Sequence, residues 1–449
     1  MYKKSPWAAV GVLAFAVAVG TLQMTAVVPL LPVLQRQLDV PLTSASWTVT
    51  SALLSGAVSI PLLSRLGDLY GRRRVAMATL GLLIIGALVS AMATTLALVI
   101  AGRVLQGVAA PLLPLAMGMA RQQVARDRLP TAIGVLSAMM GVGSGAGMIL
   151  AGLVGGTYQA LFWILAGLGA AGLALVALFV PEPAPPAPDG RPDLAGAALV
   201  AGWLVCLLLA ITKGAAWGWT SPPTLGLLGA AVAVFALWIA TARRTASPLI
   251  EIPMLTHRGT VGATVASLLL GFALFGAITT LSSVAQTALG ASVLQVGLYL
   301  LPAALLMLVV SLFAGRLMRS FPASSLVGSG SSLVAVATLW LSLAHHRPFD
   351  LYGAATVLGV GLGLGYAALG TMAVEHVEPA RTAAAGGVNA LVRLVGSSLA
   401  GAVTAAVMSG SGAGWSFGAS ALAALVSAIF GYAHGALARV PGLAKEEWA

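Results

Sequence analysis

Of the 449 residues, 59% are hydrophobic and only 8% charged, where an ordinary soluble domain carries about 25% charged residues. With 23 basic and 12 acidic residues, a compact chain of this length could not solvate its surface, and disorder would need the opposite composition. The net charge of +11 comes from basic residues that punctuate apolar runs instead of forming one stripe, which excludes a nucleic-acid footprint. A single cysteine, Cys206, leaves no disulfide framework or Cys-rich metal site.

A bilayer-spanning helix uses roughly 20 apolar residues, and the pattern predicts fourteen of them. Lys3 and Lys4 precede an apolar stretch too long for a signal-peptide core, so it stays as the first span, 8–34. The second span, 44–66, ends in a loop reading Arg65, Leu66, Gly67, Asp68, Leu69, Tyr70, Gly71, Arg72, Arg73, Arg74. Its glycines suit a tight turn, and an acid beside three arginines can hold that turn by ion pairs or cap a neighbouring helix. The third span is 72–95, and the fourth, 97–120, carries Arg103, Gln106 and Gly107. An arginine inside a span is costly unless satisfied and marks a functional candidate by default; bonding to backbone carbonyls of the first span is the structural alternative.

The fifth span, 131–156, holds Gly143, Gly147 and Gly152, and glycines four apart let helices touch closely. The sixth is 160–180. The proline run that follows, Pro181 to Pro188, cannot continue a helix and reads as a stiff connector. Spans seven and eight are 194–212 and 224–242. The last six are 259–285, 293–316, 322–343, 351–374, 382–408 and 415–437.

This division places eighteen basic residues on the side of the chain ends and three, Arg36, Lys213 and Arg347, on the other, with Arg103 and Arg393 inside spans. Charge-guided insertion produces such a bias with both ends cytoplasmic. An internal repeat supports a two-fold layout: Gly134-Val135 with Gly143 in span five, and Gly387-Val388 with Gly396 at the same offset in span thirteen. The expected organisation is an N-terminal six-helix bundle over residues 1–180, a connector with two extra helices over 181–257, and a C-terminal six-helix bundle over 258–449. Two repeated bundles with a site between them near the bilayer midplane is an alternating-access architecture.

The loop at 64–73 resembles the signature loop of the major facilitator superfamily, G-x-x-x-D-x-x-G-R-R, with Ser64 in place of the first glycine. That resemblance implies a gate at the cytoplasmic mouth formed by Asp68, Gly71, Arg72 and Arg73, and the expected partner of Asp68 is the start of span thirteen near Arg381 and Thr382. Arg103, Gln106 and Gly107 resemble the family's R-x-x-Q-G-x-x-A motif. The glycines of span five are similar to the exporter motif G-x-x-x-G-P-x-x-G-G, with Met148 replacing the proline and Ala151 the first of the paired glycines. Features of spans seven, eight and thirteen are similar to the fourteen-helix drug:proton antiporter branch, so an all-α major facilitator fold is implied.

Members of that branch usually carry an acid in the first span; Gln23 stands there instead. None of the twelve acids falls deep within a span, and Glu375 comes closest. A proton-coupled exporter of cations needs a carboxylate that alternates between protonation states. With Arg103 and Arg393 as the intramembrane charges, the cavity is expected to favour neutral or anionic cargo. Gln23, Arg103, Gln106, Gln286, Asn389 and Arg393 are the cavity candidates, and Glu375 with His376 is the candidate proton site, because histidine titrates near neutral pH.

The leading reading is a secondary transporter exporting drugs or natural products from a bacterial cytoplasmic membrane, as a monomer, with no cofactor or metal and a proton gradient as the candidate drive. An anion or metabolite carrier without proton coupling stays open. A membrane enzyme or a receptor fits less well: no H-E-x-x-H run, paired intramembrane acids or nucleotide-binding loop is present.

Overall fold

The computed structural model describes residues 6–125, 128–154, 157–181, 193–245, 248, 258–375, 377 and 382–437. Among the described residues, fourteen helices are long and apolar enough to cross a membrane. In lipid the backbone has no water to bond, so each crossing segment must satisfy its amides and carbonyls internally, as a helix does.

The first six are α1 (Pro6–Thr25), α2 (Trp47–Tyr70), α3 (Arg72–Ala91), α4 (Leu96–Gly107, resuming as Leu112–Gln123), α5 (Leu129–Val154) and α6 (Tyr158–Phe179). Two further helices follow, α7 (Leu194–Trp217) and α8 (Pro222–Ala242). The last six are α9 (Arg258–Thr287), α10 (Val293–Ser320), α11 (Ala323–Leu343), α12 (Pro348–Glu375), α13 (Thr382–Gly410) and α14 (Ala413–Leu437).

The helices gather into two bundles. In the first, α1 packs on α5 and α6, α3 on α4 and α6, and α2 on α4. In the second, α9 packs on α13 and α14, α10 on α12, and α11 on α12 and α14. The seam between them is made by α5 against α10 and α12, and by α13 against α2 and the second half of α4. One apolar cluster crosses it, joining α1 and α4 residues such as Leu13, Leu112 and Met117 to Ala266 and Leu270 of α9 and Leu362 and Tyr366 of α12. Helices α7 and α8 pair with each other, and α7 also lies on both α2 and α13. Its Val200, Leu204 and Leu208, spaced by four, share a buried cluster with Ile60 of α2 and Leu391 of α13.

Three departures from the sequence reading have local causes. The first helix stops at Thr25 instead of running to residue 34; a 3-10 turn at Val28–Leu30 and a short helix at Leu31–Leu38 follow, each with a proline as its second residue, which has no amide hydrogen to continue the ladder. Helix α4, expected unbroken, is interrupted between Gly107 and Leu112, where Pro111 again withholds a donor. Helix α7 runs on to Trp217 and takes in Lys213, expected in the loop. Lys213 is buried, donates to Ser46 Oγ at 3.0 Å and stands 4.4 Å from the centre of the Trp47 ring, so its charge is met by a hydroxyl and an aromatic face.

Candidate transport site

The site is built around two buried arginines, one in each bundle. In the first bundle α4 presents Arg103 and Gln106, three residues apart and therefore on one helix face, toward Gln23 of α1. All three are 0% exposed. Arg103 Nη1 donates to Gln23 Oε1 and Gln106 Oε1, each at 2.7 Å, and to the Gln23 carbonyl at 3.0 Å. Its Nε donates to the Thr48 carbonyl of α2 at 3.0 Å. Gln23 in turn donates to the carbonyls of Gly20 and Gln106, and Gln106 to Ser90 Oγ of α3. Four helices are thereby tied at one level by neutral acceptors around a cation. In this conformation the three residues bond one another, leaving only Arg103 Nη2 enclosed without a partner, and line no open passage. Ser90 and Thr48 complete the cluster and were not singled out in the sequence, since neither differs from any other small polar residue of a span.

In the second bundle α13 supplies Asn389 and Arg393, one turn apart. Asn389 is buried and donates to Ser267 Oγ of α9 at 2.6 Å. Arg393 is 5% exposed, and its guanidinium carbon stands 4.9 Å from the centre of the Tyr366 ring of α12. The backbone of Gly271 in α9 lies so close that a methyl group there would sit 2.5 Å from the Arg393 carbonyl oxygen. Tyr366 is the residue the sequence reading missed; an isolated tyrosine in a glycine-rich span carries no pattern. Gln286 does not join either group: it is exposed in the last turn of α9 and bonds the Ser282 carbonyl of its own helix.

The 64–74 loop is held by buried charges. Asp68 and Arg72, four apart across the turn, form an ion pair at 2.7 Å, and Arg72 also donates to the Gly118 carbonyl of α4 at 2.8 Å. Gly118 is what admits Arg72, since an added Cβ would meet its Nε at 2.6 Å. Arg73 donates to the Ala177 carbonyl at the end of α6 at 2.6 Å. Gly71 between them has φ of 108°, a conformation that a side chain resists. Ser64 sits where the family has glycine and is itself buried against Gly387 of α13. On the same face Arg121 of α4 donates to the Val377 carbonyl at 2.9 Å, so loop, α4 and second bundle close on one another there. Arg381 and His376 lie outside the described residues, as do the side chains of Thr382 and Glu375.

The glycines of α5 work in two directions. A Cβ at Gly143 or Gly147 would collide with Thr21 or Thr25 Oγ1 and with the carbonyls of Ala18 or Leu22; these two make the α1 contact, which Thr25 reinforces by donating to the Ser144 carbonyl at 3.0 Å. Gly152 faces the other bundle, where a Cβ would lie 3.0 Å from the backbone of Leu294 in α10.

The Major Facilitator Superfamily profile matches residues 13–401. The chain belongs to the Major Facilitator Superfamily. As a member it is a multi-pass membrane protein and a transporter of small molecules. It is 29% identical over 414 residues to the tetracenomycin C resistance and export protein of Streptomyces glaucescens, covering 90% of this chain and 76% of that one. It is 31% identical over 397 residues to the cephamycin export protein of Amycolatopsis lactamdurans, covering 85% and 80%. Among solved structures, that of the human organic anion transporter MFSD10 superposes with a TM-score of 0.70 at 17% identity, covering 96% of this chain and all of the other. That likeness is one of fold.

Proposed function

We propose that the protein is a secondary exporter of drugs or natural products whose passage favours neutral or anionic cargo over cations. The observation that carries the charge preference is the inventory of buried charge. Among the described residues Asp68 is the only buried acid, and it is engaged with Arg72, whereas Arg103, Arg393 and, near the end of α7, Lys213 hold positive charge within the spans. A cation entering that interior feels the field of two guanidinium groups, Arg103 from behind its enclosing residues, with no buried carboxylate besides the paired Asp68 among the described side chains to offset them. The exporter reading draws on relatives whose names state resistance and export.

Alternating access would rock residues 1–180 against 258–449 about the α5–α10 and α2–α13 seams, with 181–257 following as a connector. The face bearing Asp68, Arg72 and Arg121 is then the cytoplasmic one, holding both chain ends in a bacterial inner membrane, and the conformation described here is shut at that mouth. Glu375 and His376, which precede Val377 in the sequence, are the candidate proton carriers, and Asn389 and Arg393 the cargo contacts of the second bundle. The transport unit is one chain with no cofactor.

Purified protein in proteoliposomes with an imposed pH gradient tests this, using a panel of cationic, neutral and anionic aromatic compounds. Neutral and anionic members should move faster than a permanent cation of equal size. Robust proton-driven export of the permanent cation would contradict the proposal.

A further inference from the structure

The two buried arginines are not equivalent. Arg103 is fully enclosed and places four hydrogen bonds on three residues, with only its Nη2 lacking a partner. The Arg393 guanidinium makes no hydrogen bond or ion pair with any described residue: its Nε is enclosed without a partner, and its one contact of electrostatic character is the ring of Tyr366. A cation nine-tenths buried in a membrane protein without an acceptor is unfavourable, and a guanidinium offers five donors in a planar fork matched to a carboxylate. It stands where α9, α12 and α13 meet. Tyr366 belongs to the apolar cluster that joins α9 and α12 to α1 and α4 across the seam, so the fork lies beside the surface along which the bundles would part.

We infer that Arg393, backed by Tyr366, is an anion subsite that takes the carboxylate, or an equally delocalised organic anion, of an aromatic cargo whose apolar body lies among the seam residues. This rests on the exporter reading and gives one arginine of the pair the recognition role. Tyr366 packs on the guanidinium while its hydroxyl is directed to the Leu270 carbonyl at 3.5 Å. The donor of Asn389 is already committed to Ser267. Neither residue accepts a hydrogen bond from the Arg393 guanidinium, so the fork is left for a ligand.

The test uses the full chain in detergent and three probes of one shape: 2-naphthoate, 2-naphthamide and (2-naphthyl)methylammonium, titrated calorimetrically. Wild type should bind naphthoate about tenfold or more tighter than the amide, as a charge-assisted pair out of water predicts, and the ammonium weakest. Arg393→Gln, and Arg393→Met as a second neutral variant, should lose the margin through a fall in naphthoate affinity far larger than any change for the amide, with a monodisperse size-exclusion peak reporting folding. Arg393→Lys should retain part of it. Equal affinity of wild type for acid and amide, no binding of any probe, or a margin that survives both neutral variants overturns the inference. Failure of the exporter reading shows separately, as absence of naphthamide counterflow by wild type in proteoliposomes.

Discussion

Gln23 occupies a position where the antiporter branch carries an acid, and its contacts give that exchange a physical meaning. Its amide oxygen is one of the acceptors that hold Arg103, so replacing it by leucine removes a bond to a buried cation and should cost about 1.5–3 kcal/mol, read as a lower melting temperature in detergent. Gln23→Asp supplies a carboxylate at the same place and should keep the protein folded; a melting temperature as low as that of the leucine variant would argue that Gln23 does not hold Arg103. Asp68→Asn should leave insertion intact but slow transport, because Arg72 would lose its ionic partner at the closed face; unchanged turnover would remove the loop from the gate. Arg103 and Gln106 were legible from sequence because an arginine in an apolar run is conspicuous. Their satisfaction was not, since Thr48 and Ser90 announce nothing and the geometry that brings them within bonding distance is tertiary.

At the scale of helices, lipid supplies no hydrophobic drive for association, so close packing of small residues does the work. Gly143 and Gly147 lie against the backbone of α1, and Gly147→Leu should separate α1 from α5 and abolish the folded state, seen as aggregation on size-exclusion chromatography; a monodisperse, active variant would show that this contact is dispensable. The repeat linking spans five and thirteen was visible in sequence, and both helices line the seam, α5 against α10 and α13 against α2. Proline effects were read less well. Pro181 and its neighbours read as a break, while Pro29 and Pro111 are hidden within spans because the residues around them are as apolar as the helix interior. Hydropathy measures what lipid tolerates; it does not register a missing amide hydrogen. Lys213 was misplaced for the opposite reason, as a charge read as a boundary when the Ser46 hydroxyl and the Trp47 ring accommodate it inside α7.

For the molecule as a whole, fourteen spans follow from hydropathy, because insertion is governed by local composition, and two bundles from the repeat of spans five and thirteen and the proline run after span six. Which faces the bundles press together was not readable, since that depends on side chains far apart in the chain. The structure joins them on the face of the 64–74 loop through Arg121 and Val377 and through Ser64 and Gly387, and these contacts must open if the bundles rock. A Cβ on Gly387 would lie 3.1 Å from that of Ser64, near the roughly 3.8 Å of a disulfide. The direct measurement is therefore transport by Ser64→Cys, Gly387→Cys in a Cys206→Ala background, reconstituted in proteoliposomes, before oxidation, after it, and after reduction. Closure by alternating access predicts that the disulfide forms, that oxidation stops transport and that reductant restores it; transport continuing at the reduced rate through fully cross-linked protein would contradict it.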